Sequence, residues 1–400
     1  MNPIKKIYCR TFQTVFRIAI PLLPYRKPKR LGGADDVLAL LKKKQINSVM
    51  LITDESIRSY GITSELEHKL AKGRIKLTVY DKTVANPTTK NVEDARLLYL
   101  SNNCKALIGF GGGSSIDCAK AVGARIARPD KPLSKMEGIL KVHKKLPLLI
   151  AIPTTAGTGS ETTLASVITD ADTRHKYPIN DFPLIPKYAV LDPEVTRNLP
   201  PSLTATTGMD ALTHAVEAYI GRSTTAGTRK DSIKAVQLIF KYIYAAYTDG
   251  NDMTARKNML YAAYLAGSAF TKSYVGYVHA VAHSLGGKYN TPHGLANAVL
   301  LPYVLEAYGS SIWHKLHTLA VSAGLASEND TMEEGAKKFI DAIKALQVKL
   351  GIGNKIKGIV KEDIKELAKT AEKEGNPLYP VPVLMTAAEL EQFYYDVMEG

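Results

Sequence analysis

Residues 106–120, ALIGFGGGSSIDCAK, decide how the first half of the chain folds. The apolar run at 106–110 is typical of a strand that is buried on both faces of a parallel sheet. Gly111, Gly112 and Gly113 follow it, and a helical pattern begins directly after them. Glycine lets a backbone approach a phosphate closely, and the start of a helix directs N–H groups at an anion. The stretch therefore predicts a phosphate-binding turn, with tight packing of strand against helix as the alternative.

This turn differs from the two best-known phosphate-binding motifs. Ser114 stands where G-x-G-x-x-G requires its last glycine, and no Gly-Lys-Ser/Thr sequence follows as in a P-loop. A second polar turn, TTAGTGSE at 154–161, follows the apolar run at 148–153, and its hydroxyl groups suit a pyrophosphate or a ribose. Two such turns after two strands favour nucleotide binding over packing alone.

Strand and helix patterns alternate through the rest of this half. The strand patterns lie at 48–54, 75–80, near 165–169 and near 188–192, and the helical patterns at 37–44, 62–72 and 91–103. Such alternation predicts a parallel sheet with helices on both faces. Asp54 ends the first of these strands, at the edge where doubly wound sheets bind their ligands.

The pattern changes at residues 199–201, Leu-Pro-Pro, and is helical almost throughout the remainder. We therefore expect three parts: a basic, apolar N-terminal extension at 1–30, an α/β dinucleotide-binding domain at 31–199 and an all-helical metal-binding domain at 200–400. An active site is expected in the cleft between the second and third parts.

Histidines in the helical half predict a metal site. Asp210 and His214 are four residues apart, as are His279 and His283, so each pair lies on one face of a helix. His293 follows in a turn bounded by proline and glycine. Two facing helices would present one carboxylate and up to three neutral imidazoles, which suit divalent iron, zinc, nickel or copper. With no cysteine nearby, the pattern is typical of a catalytic site with a position for a substrate oxygen rather than of a structural zinc site.

Composition excludes several classes of protein. The apolar fraction is 45% and the charged fraction 22%, as in ordinary soluble globular proteins, and no apolar run is long enough to span a bilayer. Three cysteines without a pairing pattern favour a reducing compartment, so a cytoplasmic location is expected. The net charge is +14, but residues 1–44 hold eleven Lys/Arg and two Asp/Glu, so +9 of it is N-terminal. The basicity therefore does not predict a nucleic-acid-binding groove.

Residues 1–30 are both basic and apolar. Arg17 and Pro21 interrupt the apolar stretch, which argues against a signal peptide. We expect the segment to pack on its own domain or on a partner subunit. The alternative is an interfacial helix that binds an anionic membrane surface.

Four long motifs, in this order, give the sequence a resemblance to a known family. They are GFGGGSSIDCAK, AIPTTAGTGSE, LPPSLTATTGMDALTHAVEAY and HAVAHSLGGKYNTPHGLANAVLLP. Together they resemble the iron-containing (group III) alcohol dehydrogenases, whose architecture is shared with glycerol dehydrogenase and dehydroquinate synthase. The resemblance covers residues 31–395 and not 1–30. It implies an α/β N-terminal domain with a parallel sheet and Rossmann-like nucleotide binding, followed by an all-α C-terminal domain, in a dehydroquinate synthase-like architecture.

The resemblance also implies roles for individual residues. The metal ligands would be Asp210, His214, His279 and His293. His283 would be the catalytic histidine near the substrate and the nicotinamide, and would help to relay a proton. Asp54 is similar to the acid that binds the adenosine ribose. The remaining nucleotide contacts would be Asn86, Gly112, Gly113, Ser114, Thr154, Thr155 and Thr158.

Four other residues lie within these motifs or just before them. Asp117 and Lys120 match recurrent positions of the glycine-rich motif, and Asp117 is expected to orient that turn rather than to touch substrate. The segment before His279 departs from the family pattern, which usually has an asparagine and small residues there. Tyr274 and Tyr277 occupy it here. Two tyrosines near the metal would narrow the substrate pocket or add a hydroxyl contact.

The function implied by the resemblance is a metal-dependent oxidoreductase that transfers hydride between NAD(H) and a small alcohol or aldehyde, with Fe(II) polarising the substrate oxygen. Zn(II) is the alternative metal, and NAD is expected over NADP because a carboxylate at Asp54 repels a 2′-phosphate. The family often forms dimers or larger assemblies, so a homo-oligomer is expected. Two alternatives stay open: a zinc-dependent polyol dehydrogenase of the same fold, and a non-catalytic, membrane-associated nucleotide-binding protein.

Overall fold

The apolar runs of the first half form the strands of a parallel sheet. In a computed structural model, which describes residues 1–399, the strands are β1 (Lys29–Leu31), β2 (Ser48–Ile52), β3 (Lys76–Tyr80), β4 (Ala106–Gly111), β5 (Gly138–Ile139), β6 (Leu148–Pro153), β7 (Ala165–Thr169), β8 (Lys176–Asn180) and β9 (Tyr188–Val190). Six of them form one sheet in the order β1-β9-β6-β4-β2-β3, and every neighbouring pair is parallel. The predicted parallel sheet is therefore confirmed.

The strands that lead into the two polar turns are neighbours near the centre of this sheet. Ala106 of β4 pairs with Leu148 of β6, and Gly111 pairs with Pro153, so the two strands end in register. On its other side β4 pairs with β2. Because parallel strands end at the same edge of a sheet, the segments that follow β2, β4 and β6 lie side by side.

A second, smaller sheet differs from the sequence prediction. β5, β8 and β7 form three strands of their own, and β7 and β8 are antiparallel. The strand predicted near 165–169 therefore does not close the main sheet. The sequence pattern does not predict β8, because Pro178 lies inside it and a proline within a run argues against a strand.

The second half is helical, as predicted. The helices of the chain are α1 (Pro3–Ala19), α2 (Ala34–Lys43), α3 (Glu55–Ser59), α4 (Ser64–Lys72), α5 (Thr89–Ser101), α6 (Gly113–Ala127), α7 (Pro201–Ile220), α8 (Ala226–Thr248), α9 (Met253–Ser273), α10 (Tyr277–Tyr289), α11 (His293–Tyr308), α12 (Trp313–Ser322), α13 (Met332–Lys349), α14 (Ile364–Gly375) and α15 (Ala387–Val397). Among residues 1–399, no helix combines the length and the apolar character that crossing a bilayer requires.

The chain divides into two compact units. One is Pro24–Leu199, and the other combines Met1–Leu23 with Pro200–Gly400. The helical unit therefore contains α1 as well as α7 to α15. The three-part division at residues 30 and 199 stays a prediction.

Polar contacts attach α1 to the rest of the helical unit. The Gln13 side chain is buried, and its Nε2 donates a hydrogen bond of 2.7 Å to the carbonyl oxygen of Tyr379. Arg10 donates bonds of 2.7 and 2.8 Å to the carbonyl oxygens of Val381 and Pro382. Since buried carbonyl groups need partners, these bonds hold the loop after α14 in place.

Replacing Gln13 by Leu removes one of the two donors to the Tyr379 carbonyl oxygen, which keeps the bond of 2.8 Å from the Val381 N–H. We expect Gln13→Leu to lower the free energy of unfolding by about 1–1.5 kcal/mol, the net contribution of a buried hydrogen bond. Thr14→Ala, on the exposed side of the same helix, is the matched control and is expected to change it by no more than about 0.5 kcal/mol. Urea denaturation followed by circular dichroism measures both, and equal stabilities of the two variants would contradict the assignment.

Candidate metal and nucleotide sites

The helix α7 carries the first two residues of the predicted metal site. Most of its length is buried, and Pro201 stands at its first position. Asp210 and His214 are both buried and lie one helical turn apart on the same face. Glu217, seven residues after Asp210, belongs to that face as well.

The helices α10 and α11 bring the other imidazoles to α7. Asn290, in the left-handed conformation, ends α10, and α11 begins three residues later at His293. At Gly294 a Cβ atom would lie 2.6 Å from the carbonyl oxygen of Thr206 on α7. Only glycine therefore allows α11 to begin this close to α7, and the approach places His293 beside Asp210.

Four side chains each offer one ligand atom within a small volume, and they are Asp210, His214, His279 and His293. The four atoms all lie within 4.8 Å of one another. The Asp210 carboxylate oxygens lie 3.5 Å from His293 Nε2, 4.0 Å from His279 Nε2 and 4.0 Å from His214 Nδ1. A tetrahedral ion with bonds of about 2.1 Å separates its ligands by about 3.4 Å, so these residues are placed to converge on one ion.

The protonation state of His279 is the one that metal binding requires. Burial, and then the neighbouring imidazoles of His214, His293 and His283, hold the pKa of His279 well below its usual value. The ring is therefore neutral, which is the form that binds metals. Its Nε2 is buried and has no hydrogen-bond partner among residues 1–399, as expected of a nitrogen that coordinates a metal.

Glu217 fixes the orientation of His279. The Nδ1 atom of His279 lies 2.6 Å from Glu217 Oε2. The backbone N–H groups of Gly276 and Val278 donate to the same carboxylate at 2.8 and 2.9 Å. Burial raises the pKa of Glu217 to about 7, while these three donors favour its ionised form. A carboxylate that binds one nitrogen of a histidine directs the other nitrogen at the metal.

Asn297 holds the carboxylate of Asp210. Its Nδ2 donates a bond of 2.7 Å to Asp210 Oδ1 and lies 3.1 Å from His293 Nε2. The sequence motifs did not identify Asn297 or Glu217 as site residues. Helical spacing does place them beside predicted ligands, because Asn297 is four residues after His293 and Glu217 is seven after Asp210, on the same helical faces.

His283 lies beside the four ligand atoms and not among them. Its ring stacks on that of His293 with centroids 5.1 Å apart, and its side chain is 42% exposed. Its Nδ1 lies 2.6 Å from Glu374 Oε1, which also accepts a 2.5 Å bond from the Tyr379 hydroxyl. Burial raises the pKa of Glu374, but His283 and the Tyr379 hydroxyl outweigh burial and leave that pKa below its usual value. An ionised Glu374 therefore orients His283.

In the α/β unit, the glycine-rich turn lies between β4 and α6. Gly112 is the N-cap residue of α6 and has no side chain to cap the first N–H groups of the helix. At Gly111, where φ is +147°, a Cβ atom would lie 2.6 Å from Ser115 Oγ, so this position requires glycine. Thr158, of the second polar turn, lies 3.3 Å from where Gly113 would carry a Cβ atom. N–H groups at a helix start with hydroxyls beside them suit a phosphate.

A loop after β3 contacts the glycine-rich turn. The backbone N–H of Asn86 donates a bond of 3.3 Å to Ser114 Oγ. Lys176, on β8, donates a bond of 2.7 Å to the side-chain oxygen of Asn86. The structure thus adds a cation beside the predicted phosphate site. The sequence motifs do not contain Lys176, because the strand that carries it is not recognisable.

The other predicted nucleotide residues lie at the same sheet edge and already have partners. Asp54 Oδ1 accepts a bond of 2.9 Å from the Ile57 N–H and so caps α3. The Ile57 side chain reaches the Gly111 backbone, which connects α3 to the glycine-rich turn. The N–H of Thr154, which is buried, donates to the Gly111 carbonyl at 3.1 Å. Thr155 lies 3.9 Å from the Cβ position of Gly112.

A cluster formed by the partly exposed Asp117 and the buried Lys120 connects the two turns. Asp117 accepts bonds from the Ser160 hydroxyl at 2.7 Å and the Val167 N–H at 3.0 Å. The Lys120 ammonium, fully buried, donates to Ser160 and Thr163 hydroxyls at 3.0 and 2.8 Å. Burial lowers the pKa of Lys120 to about 8. Both residues thus make structural contacts, as expected of Asp117 from the sequence.

The two tyrosines before His279 have different surroundings. Tyr277 is fully buried, and its hydroxyl donates to Asn376 Oδ1 at 2.8 Å and accepts from the Met385 N–H at 2.9 Å. Its hydroxyl therefore serves the fold, so of the two predicted roles the hydroxyl contact to substrate is wrong for Tyr277. Tyr274 ends α9 with φ at +60°, a strained conformation for a non-glycine residue.

Comparison with known proteins agrees with this geometry. The family profile described as "Iron-containing alcohol dehydrogenase" matches residues 30–193, and that described as "Fe-containing alcohol dehydrogenase family, C-terminal" matches residues 204–398. The chain belongs to the iron-containing alcohol dehydrogenase family. The resemblance inferred from the motifs, and the oxidoreductase class that it implies, are therefore confirmed.

Individual relatives support the assignment to iron-containing alcohol dehydrogenases over most of the chain. Alcohol dehydrogenase 4 of Saccharomyces cerevisiae is 37% identical over 344 residues, which cover 85% of this chain and 88% of the yeast protein. The NAD-dependent methanol dehydrogenase of Bacillus methanolicus is 35% identical over 345 residues, with coverages of 85% and 90%. The crystal structure of a 1,3-propanediol oxidoreductase superposes with a TM-score of 0.89 at 32% identity, covering 94% of this chain and 98% of that one.

Glu217→Gln tests whether the buried carboxylate supports metal binding. The variant keeps the size of the side chain but removes the negative charge behind His279, so we expect metal affinity to fall about 10- to 100-fold. Competition with a chromophoric chelator under anaerobic conditions measures the affinity without any enzymatic turnover. Glu306→Gln, at an exposed position of the same unit, should bind metal like the unaltered protein. Equal affinities of the two variants would contradict the role given to Glu217.

Glu161 gives the α/β unit a pH-dependent stability. Burial raises its pKa from 4.5 to about 7. Between these values the folded chain binds more protons than the unfolded chain, so the free energy of unfolding falls as the pH rises. Glu161→Gln removes this pH dependence. The free energy of unfolding of the variant minus that of the unaltered protein should therefore increase by up to about 1.4 kcal/mol per pH unit from pH 5 to 7. Urea denaturation across this range tests the prediction, and a constant difference would contradict it.

Proposed function

We propose that this chain is an iron-dependent, NAD-linked dehydrogenase that interconverts a small alcohol and the corresponding aldehyde. The observation that carries the proposal is the buried group of one carboxylate and three imidazoles, with His279 Nε2 directed into it. A set of three histidines and one aspartate leaves coordination positions for a substrate oxygen. Family membership favours Fe(II) over Zn(II), because nitrogen and oxygen ligands alone accept both ions.

The residues of the cluster would hold the metal, and those of the glycine-rich turn would hold the cofactor. When bound, the metal would supply Lewis-acid polarisation of the substrate oxygen, and the nicotinamide would supply or accept the hydride. Glu217 and Asn297 keep His279 and Asp210 in fixed orientations, so no reorganisation of these ligands is needed. Because three of the four ligand residues are buried, the site also limits access of water.

The contacts of the α/β unit support a dinucleotide with its pyrophosphate at the start of α6. Gly112, Gly113 and Ser114 would present backbone N–H groups to the phosphates, and Lys176 would offset their charge. Thr155 and Thr158 add hydroxyl groups beside the turn. Asp54 uses one carboxylate oxygen to cap α3, which leaves its second oxygen to accept a bond from a ribose hydroxyl. A carboxylate there disfavours a 2′-phosphate, so NAD is preferred over NADP.

His283 is proposed to move the proton that accompanies hydride transfer. Its side chain is partly exposed, lies against His293 and is held through Nδ1 by Glu374, which places its ring to exchange a proton with substrate or water. Glu374 and Tyr379 position this histidine. The proposed substrate class is small primary alcohols and aldehydes, and a homo-oligomer in the cytoplasm stays a prediction.

The activity is tested by following NADH oxidation at 340 nm with anaerobically metal-loaded protein and a panel of short aldehydes, with hydroxyacetone as a small ketone. We expect turnover with Fe(II), weaker turnover with Zn(II), none after chelation, and a much lower kcat/KM with NADPH. Failure of every carbonyl compound, with metal and NADH both shown to bind, would contradict the proposed substrate class. Equal kcat/KM with NADPH would contradict the role of Asp54.

His283→Ala separates a proton-transfer role from metal binding. The variant should lower kcat by about a hundredfold or more, since general acid–base catalysis contributes that much, while the metal content stays at one ion per chain. His314→Ala, at an exposed position of α12 in the same unit, should change neither quantity. Loss of metal from the His283 variant would show that this histidine is a ligand and would overturn the assignment.

A further inference from the structure

The outward face of α1 is apolar, although the helix is already attached to its own unit. Its inward face, with Cys9 and Gln13, is buried. On the opposite side of α1 and in the 3₁₀ turn that follows it (Ile20–Leu22), six large apolar side chains are 59% to 85% exposed, and we call them the outer stripe: Ile4, Ile7, Tyr8, Val15, Ile18 and Leu22. Exposed apolar residues are ordinary when they occur singly, but a contiguous set marks a surface that another molecule covers.

The spacing of the outer stripe makes it one continuous face. Its five positions in α1 recur at intervals of three, four and seven residues, which matches the 3.6-residue period of a straight helix. Ile7 and Tyr8 lie on either side of the line through Ile4 and Val15, so the face spans about 100° of the helix surface. It is therefore broader than the narrow seam by which two helices pair in a coiled coil.

Basic residues flank the outer stripe. By helical spacing, Lys6 and Arg17 share one flank, and both are exposed. Lys5 lies on the other flank, where its ammonium pairs with Glu372 of α14 at 2.5 Å. Residues 1–34 contain no aspartate or glutamate. An apolar helix face bordered by cations is typical of helices that lie in the headgroup region of a bilayer.

The same charges argue against a second copy of the chain as the occupant. A two-fold symmetric contact would bring the outer stripe against itself, and Lys6 and Arg17 of one copy would face those of the other without an acid in residues 1–34 to balance them. The net charge of +14 adds a general repulsion between copies. Anionic lipid headgroups would instead balance this charge while the acyl region receives the apolar side chains.

We propose that the outer stripe of α1 docks the protein on the surface of a bilayer that contains anionic lipids. The helix would lie in the plane of the surface, with Tyr8 at the headgroup level and the apolar side chains below it. The inward contacts of Gln13 and Arg10 keep α1 on its own unit, so docking requires no unfolding. The proposal is independent of the dehydrogenase activity.

Co-sedimentation of the full-length, metal-loaded chain with vesicles tests the proposal. Vesicles of phosphatidylcholine alone are compared with vesicles in which about one third of the lipid is phosphatidylglycerol. The test variant is Ile7→Ser/Val15→Ser/Ile18→Ser. The matched control, Leu203→Ser/Val348→Ser/Val360→Ser, removes exposed apolar side chains from elsewhere in the same unit. Sedimentation velocity without lipid, at several protein concentrations, reports the oligomeric state of each protein.

We expect the unaltered chain and the control to bind the anionic vesicles and to be released as salt screens the charges. The outer-stripe variant should bind the vesicles at least about a hundredfold more weakly. Each exposed isoleucine or valine that enters the bilayer raises the water-to-bilayer partition coefficient of the protein about tenfold. NADH turnover should be the same for all three proteins. Equal vesicle binding by all three, or none by any of them, would overturn the proposal. So would a dimer that only the outer-stripe variant loses, because the face would then be an interface between copies.

Discussion

The contact on which the candidate active site depends is the one between Glu217 and the Nδ1 atom of His279, at 2.6 Å. Without a fixed acceptor at Nδ1, a neutral imidazole can present either nitrogen, and its ring can rotate. Glu217 removes that freedom and also receives the N–H groups of Gly276 and Val278, so the start of α10 is tied to α7. At Gly276 a Cβ atom would lie 2.7 Å from Glu217 Oε1, which shows how closely the backbone approaches the carboxylate. Burying a charged group is costly unless it is satisfied, and here the same satisfied group aligns a ligand nitrogen.

In the α/β unit, hydrogen-bonded polar side chains likewise fix the positions of neighbouring residues, here those of the two polar turns. The partly exposed Asp117 and the buried Lys120 connect the glycine-rich turn at the start of α6 to the turn after β6. The strands β4 and β6 end in register, so the two turns need only a short link to act as one surface. In both units, then, polar side chains lie behind the residues that we propose to meet a ligand, and fix their positions. Rigid placement of ligand-binding groups before the ligand arrives is the main contribution that a protein makes to a reaction performed by a metal and a cofactor.

The sequence alone could predict much of this arrangement because the relevant signals are local. The i,i+4 spacings of Asp210 with His214 and of His279 with His283 follow from helix geometry, and the strand–glycine–helix order at 106–120 predicts the position of the turn. Glu374 has no such signal, because it lies 91 residues from His283 and only tertiary packing joins them. Lys176 could not be predicted for another reason, because Pro178 lies within the strand that carries it and a proline argues against a strand. The attachment of α1 to the loop after α14 depends on backbone carbonyl groups, which residue patterns do not encode.

The most direct test of the central claim is an anomalous diffraction measurement at the iron edge, on crystals of protein loaded anaerobically with Fe(II). We expect a single strong peak per chain, within about 2.0–2.4 Å of Asp210, His214, His279 and His293. His283 should lie outside that distance, with its contact to Glu374 retained. A peak at any other place in the molecule, or no peak among these four residues in crystals shown to contain iron, would show that these residues do not form the metal site.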